Sequence, residues 1–271
     1  ASHVPRPARR AAAAGGEAAA ALVQLLLAAT VAMNTSGIDL PGPGSKYRAG
    51  EMVDRTRARA LAQQALAKQQ PLEWFETLYR EAASGTAVVP WADLIPNPHL
   101  VEWLDRHPNL AGSALDVGCG LGDNAEELAR RGWRVTAFDI SATAVAQAQA
   151  RFADSPVEYG VGDLLRPPPA WAGHFDLVAE TYTLQVLPAP IRGAAMASLR
   201  QLVRPGGTLL VIARGREADE PAGAMPWPLT RAELEQIATA ELRLHSLEDF
   251  ADNEDPPVRR LRATFVRAVA R

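Results

Sequence analysis

The stretch LDVGCGLG at residues 115–122 decides the fold of this 271-residue chain. A short apolar run predicts a strand at residues 114–117. It stops at three glycines, and a predicted helix at residues 124–131 follows at once. Because glycine tolerates positive φ and has no Cβ, such a loop can press its backbone against a ligand. At the end of a strand, the loop opens a crevice at the carboxyl edge of a sheet.

The next predicted strand, at residues 134–138, ends at Asp139. A carboxylate at that place can accept hydrogen bonds from the two hydroxyls of a ribose. The glycine loop, the second strand and the terminal acid together predict a site for a ribose-containing ligand. The alternative is a turn that merely connects a strand to a helix.

Composition narrows the classes of partner. The chain has 28 Lys and Arg against 31 Asp and Glu, a net charge of −3. This balance gives no reason to expect a nucleic-acid partner, which favours a basic face. Cys119 is the only cysteine, so the chain forms no internal disulfide. Its place in the glycine loop favours a structural role as a small residue over a redox role.

The first 70 residues differ from the rest and are predicted to be an extension. Residues 1–33 are rich in alanine, with three arginines and no acid before Glu17. The apolar stretch 18–33 is interrupted by Gln24 and is shorter than the ~20 residues of a membrane span. A transit-like leader, a helical appendage, an artificial extension and sequence upstream of a start at Met33 stay open. We expect a cytoplasmic location, with organellar import as the alternative.

Residues 34–50 predict a linker, and residues 51–69 have helical character. From residue 71 onward, predicted helices and strands alternate. The helices are predicted at residues 72–83, 99–106, 124–131, 142–152, 190–202 and 231–240. The first five strands are predicted at residues 114–117, 134–138, 157–160, 175–179 and 208–213.

Strands separated by helices imply right-handed crossovers and a mostly parallel sheet. The segments 242–247 and 260–269 have no helix between them, so they pair antiparallel. The predicted fold class is a Rossmann-like, doubly wound α/β domain over residues 71–271. Its mostly parallel seven-stranded sheet ends in an antiparallel β-hairpin. Nicotinamide-dependent dehydrogenases continue the βαβ pattern instead, so the tail disfavours that class of enzyme.

Residues 72–271 resemble a class I S-adenosylmethionine-dependent methyltransferase. The resemblance is carried by the glycine loop, Asp139, Asp163 and the RPGG sequence at residues 204–207. Two flanking segments are similar to the subgroup of thiopurine, thiol, halide and tellurite methyltransferases. One runs from Trp74 to Trp91 and continues through LVEWL at residues 100–104. The other is MPWPLT at residues 225–230 with the acids that follow.

The resemblance implies S-adenosyl-L-methionine as the cofactor and no metal. Its methionine part would lie in the glycine loop, its ribose on Asp139 and its adenine on Ile140. The end of the third strand would reach the adenine amino group, and the end of the fourth strand would line the cofactor. Trp91 would close a lid, with an ordinary core anchor as the equal alternative. The full set of implied cofactor-binding residues is Trp91, Asp116, Gly118, Cys119, Gly120, Asp139, Ile140, Gly162, Asp163, Leu164, Glu180 and Thr181.

Methyl transfer is an in-line displacement, so alignment of the reactants is the main task of the protein. A general base is needed only for a nucleophile that arrives protonated. Tyr182 follows the fourth strand at the ligand-binding edge, and the returning last strand brings Arg260 there. These two residues are the catalytic candidates, with Arg214 as a further anion donor. The alternative is that these arginines balance the acids at residues 248–255. His174 precedes the fourth strand and is expected at the opposite edge.

The functional prediction is methyl transfer to a small-molecule acceptor, with a thiol, halide or chalcogen anion as the first candidates. An O- or N-methyltransferase of specialised metabolism is the enzyme alternative. A cofactor-binding protein without transferase activity, docking to a partner through its N-terminal region, is the non-enzyme alternative. We expect no nucleic-acid partner and no stable membrane span.

Overall fold

The computed structural model describes residues 54–269. The predicted leader and the whole of the predicted linker lie outside these residues. The described part falls within the compact unit Gly50–Arg271. Its first helix, α1, spans Thr56–Ala67 and buries Ala58 and Leu61 in the same apolar cluster as the next helix. This helix therefore shares the core of the domain that follows.

Seven strands form one sheet in the order β3-β2-β1-β4-β5-β7-β6. They are β1 Ser113–Val117, β2 Arg134–Asp139, β3 Glu158–Val161, β4 Phe175–Thr181, β5 Val203–Arg214, β6 Leu242–Ala251 and β7 Arg259–Arg267. The remaining helices are α2 Glu73–Ala83, α3 Pro98–Arg106, α4 Asp123–Arg130, α5 Ala142–Arg151, α6 Ala189–Leu202 and α7 Arg231–Glu235. Strands β1 to β5 pair in parallel, and β7 runs antiparallel to both of its neighbours. The predicted fold class is confirmed.

The sheet is covered on both faces, and its sequence shows why. Every residue of β1 is buried, as expected for a strand of a parallel sheet with helices on each side. Alternate residues point to opposite faces. Leu115 and Val117 join one apolar cluster, whereas Ala114 joins the other. The second cluster lies against α3, where Trp103 is 1% exposed.

Strand register brings the functional loops together. Val117, the last residue of β1, aligns with Phe138 of β2 and with Glu180 of β4. The carboxyl ends of these three strands therefore lie side by side. The glycine loop, Asp139 and the segment after β4 leave the sheet at one edge, which we call the ligand edge.

The bounds of three elements differ from the prediction. The RPGG sequence at residues 204–207, just before the strand predicted at residues 208–213, lies inside the long strand β5, next to a register shift between Phe175 and Leu177 of β4. Helix α7 ends at Glu235 rather than at residue 240, although Thr230 and Glu233 form a capping box at its start. Strand β6 extends to Ala251, which shortens the connection to β7. Within residues 54–269, no helix is long and apolar enough to cross a membrane.

Candidate cofactor and acceptor site

The glycine loop is fastened to the end of β2. The Gly120 N–H donates to Asp139 Oδ2 at 3.0 Å, and the Cys119 N–H donates to the Phe138 carbonyl at 2.9 Å. The second oxygen, Asp139 Oδ1, accepts from the Ser141 N–H at 2.8 Å. The acid and the loop thus lie on the same side of the sheet, in contact, as the strand-end argument requires.

The loop needs glycine for two separate reasons. Gly118 and Gly120 have φ of +66° and +53°, a left-handed conformation that other residues rarely adopt. A Cβ on Gly118 would lie 2.4 Å from Thr183 Oγ1, and one on Gly120 would lie 2.8 Å from Tyr79 Oη. Any side chain here would therefore fill the cradle above the ends of β1 and β4.

Two buried carboxylates lie beneath that cradle on neighbouring strands. Asp116 of β1 is 1% exposed and Glu180 of β4 is fully buried. Asp116 Oδ2, Glu180 Oε2 and Thr181 Oγ1 have no hydrogen-bond partner among the described residues. Burial raises the pKa of both acids to about 7, and the nearby Asp139 charge adds to the rise at Asp116. Buried polar atoms are normally satisfied, so these three acceptors indicate a bound group that donates.

These unpartnered acceptors suit S-adenosylmethionine as a ligand. The cofactor carries a sulfonium and an ammonium, both positive, and buried carboxylates are stabilised by such partners. Glu180 Oε1 is already occupied by the Thr183 and Leu184 N–H groups, at 2.6 and 2.9 Å. Only the second oxygen of Glu180, Oε2, lacks a hydrogen-bond partner among the described residues. Asp139 also has a pKa raised by burial, to about 6, although its backbone donors lower it in part.

Tyr79 lies against the glycine loop, and Trp91 lies against Tyr79. Tyr79 of α2 is 2% exposed, and its Oη accepts from Trp91 Nε1 at 3.0 Å. The Trp91 ring packs edge-on against Trp74 at 5.9 Å. Trp91 thus reaches the loop through Tyr79 and also anchors an aromatic cluster. Both readings of Trp91 agree with these contacts.

Helix α2 carries a second candidate site residue, Glu76, that the sequence pattern does not reveal. Glu76 accepts from Ser141 Oγ at 2.7 Å and from Thr143 Oγ1 at 2.7 Å, which ties α2 to the start of α5 beside Asp139. The sequence pattern alone singles out neither Tyr79 nor Glu76 as a site residue. Helical spacing indicates which side of α2 is buried but not which strand end it covers.

The predicted adenine contacts cluster at the end of β3. The Gly162 N–H donates to the Asp139 carbonyl at 2.9 Å, and a Cβ at Gly162 would lie 2.9 Å from the Phe138 ring. Asp163 Oδ1 accepts from the Leu165 N–H at 2.8 Å, which closes a local turn. The neighbouring side chains Ile140 and Leu164 are half-buried and buried, respectively. These residues lie next to Asp139, and their contact with adenine stays a prediction.

Cys119 is a buried free thiol whose pKa is raised by burial and by the charge of Asp139. A thiol with a raised pKa is a poor nucleophile. This environment favours the structural role over the redox role.

The acceptor side of the ligand edge contains Tyr182. Its φ is +68°, which is uncommon for a residue other than glycine and is typical of functional sites. The Tyr182 N–H donates to the Ile212 carbonyl at 3.0 Å, which fixes the backbone of Tyr182 beside β5. Burial raises the pKa of the Tyr182 phenol, so it is neutral at physiological pH.

Arg260 lies against Tyr182, but the guanidinium of Arg260 is already paired with two carboxylates. Its Cζ is 5.0 Å from the Tyr182 ring centroid. Its Nε donates to Asp252 Oδ2 at 2.6 Å, and its Nη2 donates to Glu254. Arg259 is held in the same way by Asp249 and Glu217. For these two arginines, the contacts match the alternative that they balance the acids of the tail. A catalytic role for Arg260 stays a prediction, and its geometry suits positioning of the Tyr182 ring.

Arg214 differs from Arg260, its partner across the β5–β7 pair. Its backbone N–H donates to Gln185 Oε1 at 2.6 Å. Its guanidinium makes no hydrogen bond to the described residues, and the nearest carboxylate, Glu254 Oε2, is 3.8 Å away. His174, by contrast, precedes β4 at the opposite edge, as predicted.

The comparisons with known proteins agree with this geometry. Residues 114–207 match a family model described as a methyltransferase domain. The ubiquinone biosynthesis O-methyltransferase of Aromatoleum aromaticum is 37% identical over 114 residues, which are 41% of this chain and 48% of that protein. A second such enzyme, from Chromobacterium violaceum, is 35% identical over 128 residues, 45% of this chain and 53% of that protein. The chain spans about half the length of these curated relatives.

A solved structure shows the same fold. The N-methyltransferase NodS from Bradyrhizobium japonicum WM9, in complex with S-adenosyl-L-homocysteine, superimposes with a TM-score of 0.56 at 20% identity. The superposition covers 71% of this chain and 98% of NodS. Residues 114–207 thus match a methyltransferase domain, and the sheet order is that of the class I S-adenosylmethionine-dependent methyltransferase fold. The relatives support this class and give no support to the narrower thiopurine, thiol, halide and tellurite subgroup.

Proposed function

We propose that this chain transfers a methyl group from S-adenosyl-L-methionine to a hydroxyl oxygen of a small molecule. The observation that carries the proposal is the set of unpartnered buried acceptors on Asp116, Glu180 and Thr181 beneath the glycine cradle. The choice of oxygen is supported by the printed names of the relatives, which are O-methyltransferases. A soft anion such as a thiolate stays the competing acceptor.

The residues divide the task as follows. Asp116 and Glu180 hold the positive end of the cofactor, while Asp139 and the glycine loop fix its ribose. When bound, the cofactor supplies a methyl group whose bond to sulfur breaks, with the electron pair kept by sulfur, as a bond to the acceptor oxygen forms. Tyr182, neutral and rigidly placed, orients the acceptor. The acceptor proton leaves to solvent, and alignment supplies the largest part of the rate gain.

Calorimetric titration of the full chain with S-adenosylhomocysteine tests the cofactor assignment. We expect saturable binding, weakened in Asp139→Asn and unchanged in Glu158→Gln, which alters an exposed acid on β3. A folded protein that gives no heat at high micromolar ligand would contradict the assignment.

Transfer of a labelled methyl group to a panel of phenols and thiols then tests the acceptor. We expect labelled phenol ethers and an activity that rises with pH as the hydroxyl ionises. Transfer only to thiols, with no labelled phenol ethers, would favour the soft-anion acceptor instead.

A further inference from the structure

The placement of one arginine at the ligand edge, Arg214, is explained neither by stability nor by cofactor binding. Arg214 is the last residue of β5, which places it on the acceptor side, next to Tyr182 and away from the glycine loop. Its side chain is 22% exposed, so the guanidinium is largely withdrawn from water yet still reachable. Its five donors have no hydrogen-bond acceptor among residues 54–269.

The surrounding acids do not neutralise it. Asp252 is bound to Arg260 and to two backbone N–H groups. Glu254 pairs mainly with Arg260 and lies 3.8 Å from Arg214, with half of its side chain exposed. Arg214 therefore shares one surface carboxylate, Glu254, with Arg260, which also binds Asp252.

More positive charge arrives from the N-terminal side. The pKa of Arg55, just before α1, is lowered by burial and by the charges of Arg59 and Arg260, while Glu254 and Asp93 act to raise it. Burial, Arg260 and Arg55, in that order, lower the pKa of Arg214. Like charges gathered in a partly dehydrated place are costly unless an anion joins them.

We propose that Arg214 binds an anionic oxygen group, a carboxylate or a phosphate, on the methyl acceptor. This inference rests on the proposed function, because it assigns the acceptor side of the same site. A planar guanidinium suits a carboxylate or phosphate through paired hydrogen bonds. The anchored anion would hold the rest of the acceptor across Tyr182, with its nucleophile directed along the strand ends toward the cradle.

The test measures binding of small anions to the full chain loaded with S-adenosylhomocysteine. Benzoate and inorganic phosphate serve as probes, each titrated by calorimetry against the wild type and Arg214→Gln. We expect one probe to bind saturably and to lose affinity at least about tenfold in Arg214→Gln. Arg214→Lys keeps the charge without the fork and should lie between the two. The probe that binds identifies the anion as a carboxylate or a phosphate.

Arg243→Gln is the matched control, because Arg243 is an exposed arginine near the start of β6, at the opposite edge. It should bind the probe as the wild type does. Equal anion affinity in wild type and Arg214→Gln, or no anion binding at all while S-adenosylhomocysteine still binds, would overturn this inference alone. Absence of S-adenosylhomocysteine binding would instead overturn the proposed function. Circular dichroism of Arg214→Gln confirms that the variant folds.

A second readout uses turnover. Catechol and 3,4-dihydroxybenzoate differ only by a carboxylate, so the ratio of their kcat/KM values reports recognition of the anion. If benzoate is the probe that binds, the ratio should favour the carboxylate in the wild type and fall at least about tenfold in Arg214→Gln. A ratio that Arg214→Gln leaves unchanged would count against the inference.

Discussion

The two ends of the ligand edge carry opposite unbalanced charge. At the end formed by β1, β2 and β4, three buried acids, Asp116, Asp139 and Glu180, form no ion pair with any cation of residues 54–269. At the end formed by β5 and β7, Arg214 lacks a hydrogen-bonding acid and shares Glu254 with Arg260, which also binds Asp252. The unpaired groups at the two ends of the ligand edge thus have opposite charge. We expect each end to bind a ligand group of the charge opposite to its own.

Elsewhere in the domain, the same residue types are closely paired. Arg262 is 2% exposed, yet it binds Glu248 and Glu102 and donates to the His99 carbonyl. Glu248 accordingly has its pKa lowered to about 2 by Arg262. The lack of ion pairing among charged residues at the ligand edge is therefore a local property and not a general feature of this sheet.

The largest effect is expected from closing the cradle at the acidic end. Gly118→Ala adds a Cβ 2.4 Å from Thr183 Oγ1 at a φ of +66°. We expect a loss of about 3 kcal/mol in the free energy of unfolding, from left-handed strain and the clash together. S-adenosylhomocysteine affinity should fall about a hundredfold, as measured by calorimetry.

Gly85→Ala is the control for backbone strain alone. Gly85 has a φ of +73°, and nothing lies within 4 Å of an added Cβ. This variant should lose only about 1–2 kcal/mol and keep its cofactor affinity. Equal losses of affinity in both variants would show that the space above Gly118 is not the cofactor cradle.

Removing a negative charge from the acidic end should separate binding from stability. Glu180→Gln leaves the buried site without its carboxylate, so S-adenosylmethionine affinity should fall about ten- to a hundredfold, the range for a charge-assisted hydrogen bond. The unliganded variant should be more stable than the wild type at pH 8, because the cost of burying an ionised group is gone. Calorimetry and urea unfolding give the two readouts. A variant that binds normally would remove Glu180 from the site.

The sequence predicts the acidic end far better than the basic end. Local pattern places Asp116, Gly118 and Asp139, because a glycine turn and a strand-terminal acid are set by neighbours in the chain and by parallel register. The partners of Arg260 come from the β6–β7 connection. Which of the acids there reach it depends on how that loop folds back, and spacing alone leaves this open. Arg214 was named, but its lack of a partner is visible only once the other ion pairs are placed.

The acidic end should also control how stability varies with pH. Burial raises the pKa values of the three acids in the folded state to about 6 or 7, from ordinary values of 3.8 for Asp and 4.5 for Glu. The folded protein therefore holds protons that the unfolded chain has released, and stability falls as pH rises from about 4.5 to 7. Glu248 acts in the opposite direction only at lower pH, because its pKa is lowered to about 2.

Urea unfolding of the unliganded protein at pH 5 and pH 8 measures this slope. We expect the free energy of unfolding to be at least about 2 kcal/mol higher at pH 5, since each unit of pKa shift corresponds to about 1.4 kcal/mol. Saturating S-adenosylmethionine should reduce the difference, because its positive charge stabilises the carboxylates. Higher stability at pH 8 without ligand would show that the acids are neutralised by a partner inside the protein.

The smallest expected effect concerns Trp91, and it separates a lid from a core anchor. Trp91→Phe keeps the aromatic packing on Trp74 but removes the donor to Tyr79 Oη. One lost hydrogen bond at a buried phenol costs about 1 kcal/mol of stability. Because Tyr79 Oη lies over the Gly120 position, we also expect S-adenosylhomocysteine affinity to fall a few-fold. Trp171→Phe is the control, since the Trp171 ring packs on Phe138 and its indole N–H makes no hydrogen bond within the described residues. If Trp91→Phe loses stability and keeps full affinity, Trp91 is an anchor of the aromatic cluster and Tyr79 holds its place over the loop without it.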